Sequence, residues 1–383
     1  MTRRFFNAKI TMLAISAAVA LAGCGGSDDN PVVVMNQLYS QTNLTANTVV
    51  HMLRGSDGSL TVANSVATGG VGSNGNNAAG VLAAADSLAS QFSVTISNDN
   101  STLFAVNAGD GSISSFSIDP STGNLTLLKK SATSGTFPNS LAYSNGYLYA
   151  SFVNSHEVKG FKVNSDGSLT TIGSFGLPLT LVPTQVKASP NGAFLLVGSQ
   201  SASVVAFPIN SNGSLDTAVV NTTSIPAVPF AGVFLNNSIY ITADVATASL
   251  SSYRLNGNGT LTPISLSVAA TGQAASCWLS VTPNGKWAYV GNGSGSISLY
   301  SISASGALTL VNATASNEGL AVAGDSWVSA DGKFLYSTFL KDGSVIAYSI
   351  NDTTGALTKV GAKVQVTPAN GGVSSTMQGL VGI

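Results

Sequence analysis

The residues that decide the fold are Pro283-Asn284-Gly285-Lys286-Trp287-Ala288-Tyr289-Val290, then Ile297-Ser298-Leu299-Tyr300-Ser301-Ile302, then Ser305-Gly306-Ala307-Leu308. They read as a turn, a strand, a second strand and a second turn. Pro-Asn-Gly and Ser-Gly supply turn conformations, and the runs between them are β-branched and aromatic. The closing turn, of the form x-Gly-x-Leu, occurs seven times. Its glycines are Gly58, Gly123, Gly167, Gly213, Gly259, Gly306 and Gly355, spaced 65, 44, 46, 46, 47 and 49 residues apart. An aromatic residue stands six or seven positions before the glycine in six copies: Phe116, Phe161, Phe207, Tyr253, Tyr300 and Tyr348. Met52 takes that place in the first copy.

A repeat of ~45 residues that holds four short strands, here called A to D, is the signature of a propeller blade. A β-solenoid has a shorter repeat and need not close. The spacing therefore predicts an all-β chain: a seven-bladed β-propeller with four antiparallel strands per blade, over residues 32–383. Closure needs an innermost strand for the first blade. Either Val32–Met35 or Gly379–Ile383 can supply it.

Composition agrees. Only 8% of the 383 residues are charged, 44% are hydrophobic, and the net charge is −1. There is no basic field to hold a nucleic-acid backbone, so no nucleic-acid partner is expected. Blades stacked on both faces accommodate a chain this apolar.

The N-terminus is of another kind. Arg3, Arg4 and Lys9 precede the short apolar run Ile10–Ala20, the pattern of an export signal over residues 1–23. Leu21-Ala22-Gly23-Cys24 resembles the lipobox of bacterial lipoproteins, in which the cysteine becomes the lipidated first residue. Residues 24–31 read as a flexible tether. This resemblance implies export and anchoring at the cell envelope through lipid on Cys24, with Gly25 implying the outer membrane. Loss of the signal leaves 12 basic against 16 acidic residues. Cys277 then has no partner, and reads as a buried residue rather than a nucleophile.

The long first spacing places an insertion at about residues 69–90. It contains Gly70-x-Gly72-x-x-Gly75, a helix-prone stretch from Ala78 to Ala89, and Asp99 beyond. A dinucleotide site needs a βαβ unit around such glycines. The repeats assign antiparallel blades here, so a loop with a short helix is expected, and no cofactor.

The B–C and D–A loops share one face and supply the chemistry-bearing residues. B–C loops contribute Asp110, His156, Glu157, Asp244 and Asp342. A long D–A loop contributes Glu318 and Asp325, with Trp278 just inside another strand A. His156-Glu157 is the adjacent acid/base candidate for activating water. The other six are ligand-binding candidates. His51, mid-strand, reads as a packed histidine. No metal-ligand spacing, nucleophile elbow or Walker loop occurs.

Pro283–Asn292 resembles the YVTN-type propeller repeat. With the x-Gly-x-Leu turns and seven copies, residues 31–383 are similar to the seven-bladed lactonase-type propellers, which include 6-phosphogluconolactonase-like proteins. That resemblance implies the fold and a hydrolytic site on the loop face. The family's Pro-Arg-His signature is absent. The two arginines beyond the signal, Arg54 and Arg254, end strands C and so lie on the opposite face. The expectation is a lipid-anchored propeller acting as a non-catalytic binding module for an envelope protein, a glycan or a small molecule. The alternative is a hydrolase of a lactone or similar ring ester.

Overall fold

The computed structural model describes residues 36–83, 86–222, 228–367 and 376–383. They form seven four-stranded antiparallel sheets. Six blades are continuous in sequence, at 94–132, 138–176, 183–222, 229–269, 276–317 and 323–365. The other is composite. Its strand A is Gln378–Gly382, and its strands B to D are Gln37–Gln41, Thr48–Arg54 and Leu60–Ala67. Of the two closing segments the C-terminal one serves: Tyr39 pairs with Val381, and Asn36 N–H donates to Ile383 O at 2.7 Å. Val32–Met35, the signal and the tether lie outside the described residues.

Each blade grades from a buried inner edge to an exposed outer one. Strands B such as Tyr147–Phe152 are nearly all buried, whereas strands D such as Leu125–Ala132 are mostly exposed. Apolar clusters lie between blades, so every sheet buries both faces against a neighbour. The one helical element among the described residues is a 3₁₀ turn at Val245–Thr247.

The repeated turn has a role the pattern alone does not reveal. All seven glycines have positive φ, from +71° to +87°. In every case the glycine carbonyl accepts a side-chain hydrogen bond from the preceding blade. Tyr39 Oη donates to Gly123 O at 2.6 Å, Tyr149 to Gly213 at 2.9 Å, Tyr289 to Gly355 at 2.8 Å and Tyr336 to Gly58 at 3.0 Å. Ser115 Oγ reaches Gly167, Ser252 Oγ reaches Gly306 and Asn221 Nδ2 reaches Gly259, at 2.7, 2.7 and 3.0 Å. The Tyr336–Gly58 bond joins the last blade to the first. A Cβ on Gly213 would lie 2.3 Å from the Tyr147 ring, and φ is +80° there, so glycine is required twice over.

Tyr149→Phe removes one such bond from a buried carbonyl and should lower unfolding free energy by about 1 kcal/mol. Gly213→Ala adds backbone strain and a collision, and should cost about 2 kcal/mol or more. Urea denaturation orders the two, and equal losses would show that the turn conformation contributes nothing beyond the hydrogen bond.

Candidate functional site

The insertion determines what the loop face can do. It connects strand D of the first blade to strand A of the second, and its end enters the central channel. Ser90, Gln91 and Phe92 bond to inner strands around the ring. Gln91 donates from Nε2 to Leu279 O at 2.9 Å and accepts from Leu279 N–H at 3.2 Å. Its carbonyl accepts from Ser140 Oγ at 2.7 Å, and its N–H donates to Thr184 O at 3.2 Å. Trp278 Nε1 donates to Ser90 O at 3.1 Å. Asp325 accepts from Phe92 N–H at 3.2 Å and from Gly379 N–H at 3.0 Å. Residues 90–92 therefore plug the channel, fastened to four inner strands.

The plug corrects two expectations. The described part of Ala78–Ala89 is not helical: Asn76 bridges to Leu82, and Gly80 and Ala89 have positive φ. The Asp86 carboxylate instead collects the N–H groups of Leu88, Ala89 and Ser90 at 2.9–3.1 Å, a local alternative to continued helix. Nor do Glu318 and Asp325 share a loop. Asp325 lies within strand A at Ala323–Val328, because the apolar run Leu320–Ala323 brings the chain to the inner edge early. It faces the plug, whereas Glu318 pairs with Lys359 at 2.7 Å on an outer strand. Gly70–Gly75 lies between antiparallel blades, and Asp99 caps an A–B turn on the far face through Ser97 and Ser101. No βαβ unit surrounds those glycines.

Two cavities flank the insertion on the loop face. The larger, about 610 Å³, is lined by Ser73, Asn74, Asn76, Asn77, Phe137 and Asn154, by several glycines, and by Asp110. The smaller, about 330 Å³, adjoins it through Asn77 and Ala78 and is lined by Asp86, Leu88, Val153 and Gln200. Neither lining includes a lysine or arginine. Phe137 and Asn74 hold φ of +59° and +52°, and a bulky residue in that region is uncommon outside sites that need it. Asn154 Nδ2 reaches across to Ala78 O at 2.8 Å, tying the insertion to the third blade.

Among the candidates read from sequence, Asp110 alone lines the larger cavity. Its oxygens accept from Val71 N–H, Ser112 and Lys130 Nζ, the last at 3.2 Å. His156 and Glu157 line neither cavity. The His156 Nδ1 lies 3.4 Å from Leu181 O, and Glu157 pairs with Lys159 at 3.5 Å and accepts from Ser174. His156 ends the turn with φ of +47°, Glu157 opens the strand, and each bonds to other partners, so the two do not form a dyad. Asp342 pairs with Lys363 at 2.7 Å. Asp244 is fully buried, accepts from Thr242 and Ser251, and is pushed by burial up to about 6. Trp278 is structural in the sense that it holds the plug.

Cys277 is buried in the core, and desolvation raises its thiol far above the ordinary range, so it has no thiolate character. His51 is buried, stacked on Tyr39 at 5.0 Å, and its pKa is lowered by burial. Arg54 packs over Phe334 and pairs with Asp331 on the far face, and Arg254 is exposed at the end of its strand C. No cluster of three or more His, Cys, Asp or Glu suited to a metal occurs among the described residues.

Asp86 was missed by the sequence reading. Desolvation pushes it up to about 6, and it lines the smaller cavity. The available signal was its isolation: it is the one charged residue in 69–90.

The model of the family described as "Lactonase, 7-bladed beta-propeller" matches residues 35–178 and 235–372. The chain belongs to this lactonase propeller family. The unmatched stretch between the two segments holds the fourth blade. No curated protein sequence matches. Among solved structures, a candidate 6-phosphogluconolactonase from Bacteroides fragilis aligns with a TM-score of 0.70 at 16% identity, covering 94% of this chain and all of that one. The periplasmic gluconolactonase of Pseudomonas aeruginosa aligns at 0.69 and 19%, covering 91% of this chain and 99% of its own. A Lactobacillus plantarum protein aligns at 0.73 and 16%, covering 91% and 100%. At these identities the likeness is one of fold.

Burial holds the Asp325 carboxyl up to about 7, against 3.8 for the free side chain, with Asp86 nearby adding to the shift. Between those values the folded chain keeps the proton and the unfolded chain does not. The acid's contribution to stability is therefore full below about pH 4 and is lost as pH rises to about 7. The stability difference between wild type and Asp325→Asn should fall across that window and then level, followed by thermal melts. A difference independent of pH would mean that Asp325 titrates normally.

Proposed function

We propose that the loop face binds an uncharged, hydroxyl-rich lactone and hydrolyses its ring ester. The observation that carries this reading is the amide-lined groove, its Asp110 paired with Lys130, adjoining a cavity with one carboxylate pushed up to about 6. Asparagine side chains and backbone groups offer both donors and acceptors, the pattern that suits ring hydroxyls. Phe137 adds an apolar face. A phosphorylated substrate would call for a cationic clamp, and neither lining contains one. The uncharged substrate implied by the name of the Pseudomonas gluconolactonase fits this groove better than the phosphorylated one implied by the Bacteroides protein's name.

In this mechanism a water attacks the lactone carbonyl and gives its proton to Asp86. The ring oxygen leaves as the tetrahedral intermediate collapses and takes a proton back, opening the ring to a hydroxy acid. A base with a pKa near 6 is largely ionised at pH 7 and still basic enough to accept a proton. Asn77 and Asn154 lie where they can hold ring hydroxyls.

A second reading, a binding module without turnover, is favoured by a specific feature. The oxygens of Asp86 already accept three backbone N–H groups, which suits a structural carboxylate. The two readings part on one assay. Wild-type chain should hydrolyse gluconolactone faster than the spontaneous rate, and Asp86→Asn should lower kcat by about 100-fold while still binding the lactone. Binding by calorimetry without turnover selects the module. Unchanged turnover in the variant removes Asp86 from the mechanism.

The same proposal places the chain at the cell envelope, held by lipid on Cys24, where an uncharged sugar lactone is a more suitable substrate than a cytoplasmic sugar phosphate. Cys24 lies outside the described residues. In a Gram-negative host, Cys24→Ser in the full chain should move the protein from the membrane fraction to the soluble one. A variant that still sediments with membranes would overturn the lipid anchor.

A further inference from the structure

The plug ends on Phe92, and beneath it the channel opens again towards the opposite face. This lower mouth, about 250 Å³, is lined by the last residues of four inner strands, Pro183–Ala188, Pro229–Phe234, Ser276–Val281 and Ala323–Val328. Its walls are apolar and aromatic, with Phe234, Leu279, Val281 and Trp327 among them. One side chain does not match. Lys187 lines the cavity, with its Nζ 4.1 Å from the centroid of the Phe92 ring.

Lys187 makes no ion pair among the described residues, and no other ionisable side chain lines the cavity. Val233, Ser280 and Trp327 hold the matching place in the next three blades, each the penultimate residue of its strand. The repeat therefore does not require a charge there. Burial costs the ammonium enough to pull its pKa down to about 8, with no carboxylate compensating. A partly buried cation without a carboxylate partner, lining an apolar cavity, calls for an anion. The Phe92 ring holds the ammonium in place by a cation–π contact. Ser280 and Ser326 line the same cavity and bond to each other, with Ser280 Oγ also donating to Ser326 O at 2.8 Å, so their oxygens do not compete for the ammonium.

We propose that this lower mouth is a binding site for a small organic monoanion with a flat apolar body, its carboxylate on Lys187 and its body between Trp327 and the aliphatic wall. It is separate from the loop-face site, because the plug lies between them. Its size excludes a large ligand, and its single charge excludes a preference for polyanions.

Benzoate and its neutral amide, benzamide, test the assignment on the whole chain, by calorimetry and by Trp327 fluorescence, with Trp327→Phe to assign the signal. Benzoate should bind and benzamide should bind at least about tenfold more weakly. Lys187→Met should lose benzoate binding by a similar factor, and Lys187→Arg should retain most of it. The methionine variant removes a desolvated charge and should melt no lower than wild type, so a lost signal will not reflect unfolding. Equal binding of benzoate and benzamide, undiminished binding in Lys187→Met, or no benzoate binding to wild type would each overturn the site. Lactone turnover should be unaffected by Lys187→Met, which separates failure here from failure of the loop-face reading.

Discussion

Seven hydrogen bonds to seven glycine carbonyls organise this molecule. Each joins the C–D turn of one blade to a side chain of the blade before it, and the seventh, Tyr336 to Gly58, links residues 278 positions apart. Backbone pairing holds strands within a blade but does not set the angle between blades. A turn carbonyl on one sheet bonded to a fixed hydroxyl on the next does set it. The donor varies among tyrosine, serine and asparagine, and it comes from strand B, C or D. What does not vary is the acceptor, because only a glycine with positive φ presents its carbonyl there without a Cβ entering the neighbouring sheet. The rotation around the ring is thus fixed on the far face, and the loop face is free to differ from blade to blade.

The insertion uses that freedom. An open propeller channel would join the two faces, but residues 90–92 close it with polar bonds to four inner strands. Those bonds satisfy inner-edge backbone groups and buried side chains that would otherwise need water. The closure makes two separate concavities from one channel. The upper pair of cavities is amide-rich with the carboxylates of Asp110 and Asp86, and the lower mouth is apolar with one cation. Sites of such different chemistry can coexist only because Phe92 and its neighbours lie between them.

The fold was legible because it is periodic. A seven-fold pattern of turn, aromatic residue and strand is overdetermined, and small errors in any copy do not change the count. Even the two closing segments could be narrowed to a pair. The site was much less legible, because it depends on the one aperiodic stretch. The alanines of 78–89 suggested helix, and local propensity was overridden by Gly80, by the Asp86 side chain and by anchoring to distant strands. His156 and Glu157 are neighbours in sequence, but one ends a turn in the left-handed region and the other opens a strand, and each finds a different partner. Asp325 reads as a loop residue because nothing in the sequence marks where an inner strand begins when its first residues are Ala, Gly and Asp.

The scarcity of charge now has a spatial meaning. Glu318, Asp110 and Asp342 are each paired with a lysine on an outer strand. They neutralise one another where sheets meet water, and such pairs contribute little to stability. Apart from Asp244, buried against Thr242 and Ser251, the charges that burial strains lie in or against the channel: Asp86 and Asp325 at the plug, and Lys187 below it. Like Asp244, each has its charged form destabilised by burial, which the fold tolerates at few places. In a chain with 8% charged residues, ionisable groups gathered on the axis, where blade packing does not require them, are better explained by ligands than by architecture.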